Sequence, residues 1–448
     1  MFRKRNIDML NGNIAGNMLM FALPIMVSDM LHMFYTAADT IIVGKFAGEI
    51  PLAAVGSTGS LCFLFVALFE GLSLGVNVVI ARAIGEDDKD KVYRAVHTSA
   101  VICLAGGILL SVIAIIFSRS FLSLMSTPSS IIDLSTLYMR IYFGGIIFTL
   151  IFNFGSGALR AHGETRKPMI FQVIGGVLNI ILNLIFVIIF KMSVAGVALA
   201  TVMSQAAAAF LTVITLMNED TSIRFYPEKM AYYHEETMEI VKVGLPAGIT
   251  GIAFSLTNLI VQSSINSFDS SVIIAGNTAA NNLENFVYIG IMGFESAVLT
   301  FSSQCYGARK YERIKKIFWT GMFMGVVSMG LIGLCCNIFN TPLLYLYTDN
   351  ADVVEAGKLR LLYVSGFLFL NGIINIQTNS MRAVGYSSTP AIITLVGIIG
   401  VRVIWLSTFF PMHRALEVVY LCFPISWAIT AIINGIALAI VHHRVLKV

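Results

Sequence analysis

Residues 157–168 read "GALRAHGETRKP", and residues 380–390 read "SMRAVGYSSTP". At a shift of 222 residues they align Arg160-Ala161 with Arg382-Ala383, Gly163 with Gly385 and Pro168 with Pro390. The same shift carries Leu23-Pro24 onto Leu245-Pro246, Gly85 onto Gly307 and Thr98 onto Thr320. One such match would be chance. A series that crosses four predicted helices without a gap is the signature of an internal duplication. The chain therefore reads as two copies of one unit.

The unit is a membrane unit. Of 448 residues 57% are apolar and only 12% charged, and the mean hydropathy is +0.83, which excludes an ordinary soluble domain for most of the chain. Apolar runs long enough for a bilayer core of about 30 Å fall near 16–38, 52–80, 95–118, 136–159, 169–190 and 194–217. Six more follow near 240–265, 272–300, 316–340, 358–381, 390–411 and 417–441. The expected fold is an all-α polytopic membrane protein of twelve transmembrane helices in two homologous six-helix lobes, residues 1–220 and 221–448, with a cytoplasmic linker near 218–239. Because each lobe holds an even number of spans, both enter the bilayer from the same side. They are parallel repeats related by a pseudo-twofold axis along the membrane normal. In transporters so built the substrate site lies between the halves near the midplane, and rocking one half against the other alternates its access.

The first span is too long, and lacks the cleavage pattern, for a removable signal peptide, and reads as permanent. About 21 of the Lys and Arg residues fall on the side that holds "FRKR" and roughly 7 on the other, so both termini are expected in the cytoplasm. Topology thus explains the formal charge of +4, and a nucleic-acid surface is not indicated. The six cysteines lie in or beside apolar spans and form neither a disulfide framework nor a metal pattern.

The stretches "LPIMVSDMLHMFYTAADTIIVGKFAGEIPLAAVG" and "GALRAHGETRKP" in the first half, with "GLP", "SSQCYGARKYERIKK" and "SMRAVGYSSTP" in the second, resemble the multidrug and toxic compound extrusion (MATE) family. The segments follow the family's order over nearly the whole chain. The resemblance implies two six-helix lobes around a V-shaped cavity, in a monomer of the cell membrane. It also implies export of organic, often cationic compounds in exchange for protons or sodium ions, with no other cofactor. A coupling-cation site is implied in the first lobe, built on Asp39 of the first span with Asn179, Asn183 and Thr201 of the fifth and sixth. The sequence departs from many relatives where Asn183 replaces a second carboxylate. Asn371 stands where some relatives carry an Asp in the tenth span, and no acid occupies the seventh.

The polar residues can also be read from their physics. Charges in spans are expensive, and Asp29, Asp39, Glu70, Glu284 and Glu295 are the acids within or at the edge of spans; all but Asp39 are candidates for the substrate cavity. Asp39 reads either as an interfacial acid at a helix end or as the carboxylate that an ion neutralises. Asn179 and Asn183 are one turn apart on one face; with the Thr201 hydroxyl they suit a hard monovalent cation, sodium being the one metal ion in question. Asp29 is three residues before His32 and could pair with it, or could bind a substrate cation. Glu284 and Glu295 return to nearly the same face after three turns. Arg402 is the one basic residue read deep in a span, so an ion pair with one of these glutamates is expected, leaving the other for substrate. Asn258, Gln262 and Asn266, like Asn371, Asn375 and Asn379, form stripes at spacing four; each is a wall toward substrate or a set of interhelical hydrogen bonds. The motifs around Arg160 and Arg382 read as cytoplasmic loops in which glycines permit tight turns and prolines start the next helix.

An enzyme finds no support, since HExxH, GxSxG and phosphate-loop patterns are missing. A lipid-linked oligosaccharide flippase shares the architecture, but its pyrophosphate calls for several arginines, whereas acids outnumber bases in these spans. A passive channel would call for a repeated filter segment, and none is visible. The expected partners are small-molecule substrates and membrane lipid.

Overall fold

The computed structural model describes residues 7–125 and 127–446; the basic stretch "FRKR" at 2–5, on which orientation was read, lies outside the described residues. Regular structure among them is helical, as hydrocarbon demands when each backbone N–H must be satisfied within its own segment. The first half runs α1 (Ile14–Ile42), α2 (Glu49–Gly85), α3 (Lys89–Leu124), α4 (Ile132–Gly144), α5 (Ile146–Ala161), α6 (Arg166–Asn183) and α7 (Ser193–Met217). The second runs α8 (His234–Asn266), α9 (Ser271–Gly307), α10 (Tyr311–Ile338), α11 (Asn340–Tyr345), α12 (Ala351–Tyr363), α13 (Leu368–Ala383), α14 (Ser388–Thr394), α15 (Val401–Met412) and α16 (Leu416–Leu446). Among the described residues eleven helical runs can cross a membrane by length and composition, and α4 with α5, bent by 44°, makes a twelfth when the pair is taken as one span. Each of the twelve expected spans falls on one of these runs. Leu109, Ile116, Phe323 and Ile432 are exposed, as side chains are whose solvent is lipid rather than water.

Arg160 and Arg382 are not loop residues: they occupy the last turns of α5 and α13. The helices stop two residues before Gly163 (φ +89°) and Gly385 (φ +100°), where a left-handed backbone ends a helix at no cost to glycine. Pro168 and Pro390 then stand in the first turns of α6 and α14.

The fold forms two compact units, one with Val27–Gly248 as its body and the other joining Asp8–Met26 to Ile249–Val448. The division does not fall in the linker. The start of α1 belongs to the second unit and the start of α8 to the first. In the first unit the reason is two glycine pairs at spacing four. A Cβ on Gly71 of α2 would stand 2.2 Å from the backbone nitrogen of Gly248, and one on Gly75 2.4 Å from the carbonyl oxygen of Ile240. Only helices stripped of side chains there can approach so closely. In the second unit Gly293 of α9 meets α1, its Cβ position 2.5 Å from the carbonyl oxygen of Ala22. The shift of 222 carries Ala22 onto Gly244 and Gly71 onto Gly293, so the duplication survives as packing.

Charges hold the same two helix starts. In the first unit Arg94 Nε lies 2.5 Å from Glu236 Oε1 and Lys91 Nζ 3.5 Å from Glu239. In the second, the Arg313 guanidinium donates to the carbonyls of Met9 (3.0 Å), Asn11 (2.7 Å) and Gly12 (3.2 Å). Arg313 is the counterpart of Lys91.

Candidate functional site

In the first unit α1 closes in a π turn (Val43–Ala47), and α6 runs on into another, Leu184–Ile189. Between them the half-buried Asp39 meets Asn183, whose Nδ2 donates to Asp39 Oδ1 and, at 3.2 Å, to Asn179 Oδ1. Both asparagines are fully buried. Asn183 Oδ1 and Asn179 Nδ2 have no hydrogen-bond partner among the described residues, and an unmet buried polar atom costs about 1–3 kcal/mol. A carboxylate beside an unmet amide oxygen is a set of oxygen donors of the kind a small hard cation takes. Thr201 does not join by hydrogen bond: its hydroxyl donates to Val197 O of its own helix at 3.0 Å, which leaves its oxygen lone pairs.

One turn earlier on α1, the buried Tyr35 hydroxyl bonds His32 Nδ1 and accepts from Gln172 Nε2 at 2.8 Å. His32 therefore takes Tyr35 and Gln172 (3.1 Å) rather than Asp29. Tyr35 also stands three residues from His32, and its ring packs edge-on at 4.6 Å. Asp29 instead lies within Coulomb range of Arg160 and Glu70; Glu70 is exposed. This carboxylate pair with one guanidinium stands apart from the Asp39 group.

In the second unit the expected pairing of Arg402 does not form. Glu284 is taken by Arg360 of α12 in a bidentate pair, Nε to Oε1 at 2.8 Å and Nη2 to Oε2 at 2.7 Å. Arg360 also donates to Asn277 Oδ1 (2.5 Å) and Asn281 Oδ1 (2.9 Å). The two oxygens of one carboxylate fit one planar fork, so Glu284 has no edge left for a second guanidinium. Arg402, 1% exposed, has Ser426 Oγ at 3.1 Å and the rings of Phe423 and Trp427 at 4.2 and 5.8 Å, while its Nη1 has no hydrogen-bond partner among the described residues. Glu295, half-buried, lies in Coulomb range of Arg382.

The amide stripes separate. On α13, Asn375 Nδ2 donates between helices to Tyr288 of α9 (2.7 Å) and within its own helix to Asn371 Oδ1 (3.2 Å). On α8, Asn258 and Gln262 line a cavity of about 150 Å³ together with Asn277, Asn281, Arg360 and Phe423. Arg360 is the cavity residue that sequence reasoning passed over. Its signal was the run Asn277, Asn281, Glu284 on α9, one polar face at helical spacing that calls for a partner.

The duplication relates this cavity to the Asp39 group. The shift of 222 carries Asp39 onto Val261, Tyr138 onto Arg360 and Thr201 onto Phe423, and all three lie on the cavity. A π turn admits one extra residue. In the second unit it occurs at Leu395–Gly400, before Arg402, and in the first at Leu184–Ile189, after Asn183. Arg402 and Leu406 are accordingly the buried face of α15, as Asn179 and Asn183 are of the corresponding part of α6.

A sequence model of the MatE family matches residues 24–185 and again 246–407, two matches separated by the same 222. The chain is 26% identical over 399 residues to "Probable multidrug resistance protein YoeA" of Bacillus subtilis, covering 87% of this chain and 86% of that one. It is 24% identical over 383 residues to the multidrug export protein MepA of Staphylococcus aureus, covering 84% and 83%. Its fold matches a crystal structure of MATE in complex with MaL6 with a TM-score of 0.93 at 21% identity, over the full length of both.

Proposed function

The chain belongs to the MatE family of membrane transporters, and from that premise we propose that it is a monomeric secondary exporter of organic cations in the cell membrane. It exchanges them for protons or sodium ions by alternating access, with both termini in the cytoplasm. The relatives named for multidrug resistance and export support drug-like organic cargo; its positive charge is proposed from the excess of acids in the spans. The observation that carries the reading is the half-buried Asp39 carboxylate held by an asparagine whose own oxygen has no partner.

Coupling follows from charge. A carboxylate in a membrane segment is costly while ionised and cheap once a proton or sodium ion neutralises it. Asp39 supplies the charge in either case. Asn183 Oδ1, Asn179 Oδ1 and the Thr201 oxygen supply neutral contacts that a metal cation uses and a proton does not need. Neutralisation and release bias α1 between two arrangements, which is what ties the ion to the cargo. Inverting a 1:99 population takes about 5.5 kcal/mol of differential binding, within what one buried charge can provide.

The test is efflux of ethidium from proteoliposomes under imposed proton or sodium gradients. One of the gradients is expected to accelerate the wild type at least about tenfold over Asp39→Asn, about 1.4 kcal/mol in barrier, and the effective gradient names the ion. Equal gradient-driven rates in both proteins would end the assignment.

A further inference from the structure

The cavity in the second unit is lined by Val261, Arg360 and Phe423, the counterparts of Asp39, Tyr138 and Thr201, and the charge at these positions is reversed. Val261 removes the carboxylate, and Arg360 replaces Tyr138. Around it, Arg360 and Glu284 cancel, but Arg402 adds a second guanidinium on the Phe423 ring, 4.2 Å from its centroid with Arg360 at 5.5 Å. Among the described residues no carboxylate is paired with Arg402. An arginine does not give up its proton, so the cluster holds one buried positive charge more than its carboxylate offsets. Such a charge calls for a counter-ion.

The neutral residues are arranged for one. Arg360 draws the side-chain oxygens of Asn277 and Asn281 toward itself, and the amide N–H groups are thereby turned away from it. Asn277 Nδ2 donates to Gln262 Oε1 at 3.0 Å; Asn281 keeps its NH₂ group, and the exposed Asn258 brings a second amide. Among the described residues Arg360 is the only ionic one lining the cavity. Glu284 offsets the charge of Arg360, so the surplus is that of Arg402 on the Phe423 ring of the cavity wall, and an anion meets that field together with amide N–H donors.

We propose that this cavity binds a small monovalent anion, either a halide or the carboxylate of an organic molecule. The volume of about 150 Å³ is that of some five waters at about 30 Å³ each, enough for a chloride with water or for a benzoate-sized acid. The inference goes beyond the cation-exchange reading and does not depend on Asp39.

Binding of radiolabelled benzoate is measured on the purified protein in lipid nanodiscs at constant sodium and ionic strength, with chloride as competitor. No gradient is applied, so failure here and failure of coupling are separate results. Saturable benzoate binding that chloride displaces is expected. Asn258→Asp and Asn281→Asp, at exposed positions on the cavity, are each expected to weaken binding by about tenfold or more, because a like charge is placed against the ligand. Both variants are checked for monodisperse elution. Export of labelled benzoate from proteoliposomes then assigns the site to a cargo carboxylate, and binding without export assigns it to an inorganic anion. The proposal is overturned if folded wild type binds neither anion saturably, or if both substitutions leave binding unchanged.

Discussion

Where the first unit sets a carboxylate against buried amides, the second buries a guanidinium. Asp39 rests against Asn183 and Asn179, while the equivalent place of the second unit holds Arg402 against Phe423 and Trp427, with Arg360 on the same Phe423 ring. The scaffolds match closely enough for Gly71 and Gly293 to perform the same close approach. A duplicated fold has kept its packing and reversed the sign of its buried charge. Packing and charge can diverge in this way because the first depends on small residues at helix crossings and the second on a handful of side chains that face inward.

The largest way to break the comparison lies in the second unit. Glu284→Ala leaves Arg360 without its bidentate partner and is expected to destabilise the protein by about 3–5 kcal/mol, as for a buried pair broken on one side. Loss of monodisperse elution or a fall in thermal midpoint would show it. A midpoint equal to wild type would mean that Arg360 is not held by this pair.

Next come the crossings. Gly71→Ala and Gly293→Ala each drive a methyl into backbone, and each is expected to cost about 1–3 kcal/mol or more. If only one of them lowers the midpoint, the two crossings are not equivalent and the symmetry of packing fails. Gly59→Ala is the contrast on the same α2 helix. Nothing lies within 4 Å of its Cβ position, and a stabilisation of about 0.5–1 kcal/mol is expected from a helix-interior glycine replaced by alanine.

The smallest expected loss of stability is at Asp39, where function should change most. Asp39→Asn keeps a hydrogen-bonding side chain beside Asn183, so its midpoint should shift by no more than about 1.5 kcal/mol while gradient-driven efflux is lost. A large fall in midpoint would make Asp39 a structural residue like Glu284. The two units would then differ in sign alone and not in role.

Much of this was legible in residue order. The spacing of apolar runs predicted twelve spans, and the 222-residue shift announced the repeat that the family match reproduces. Asn179 and Asn183 were placed on one face by a spacing of four. The pairing of Glu284 was misjudged because a sequence ranks basic residues by depth in an apolar run, and Arg360 stands near the edge of its run whereas Arg402 stands in the middle. Arg360 stands in the last turn of α12, and α12 packs against α9, which brings it to Glu284. His32 shows the same limit. Its spacing of three fitted Asp29 and Tyr35 equally, and Gln172 of another helix settled the choice.

The sequence by itself determined that the chain is a duplicated, helical membrane protein, because hydropathy and repetition are properties of order along the chain. Which charge meets which, and that the second unit inverts the polarity of the first, only the tertiary structure decided. The burial of Arg402 depends on a π turn ahead of it, a one-residue rotation that leaves no mark on composition or period, and the partner of Glu284 depends on how α12 packs against α9.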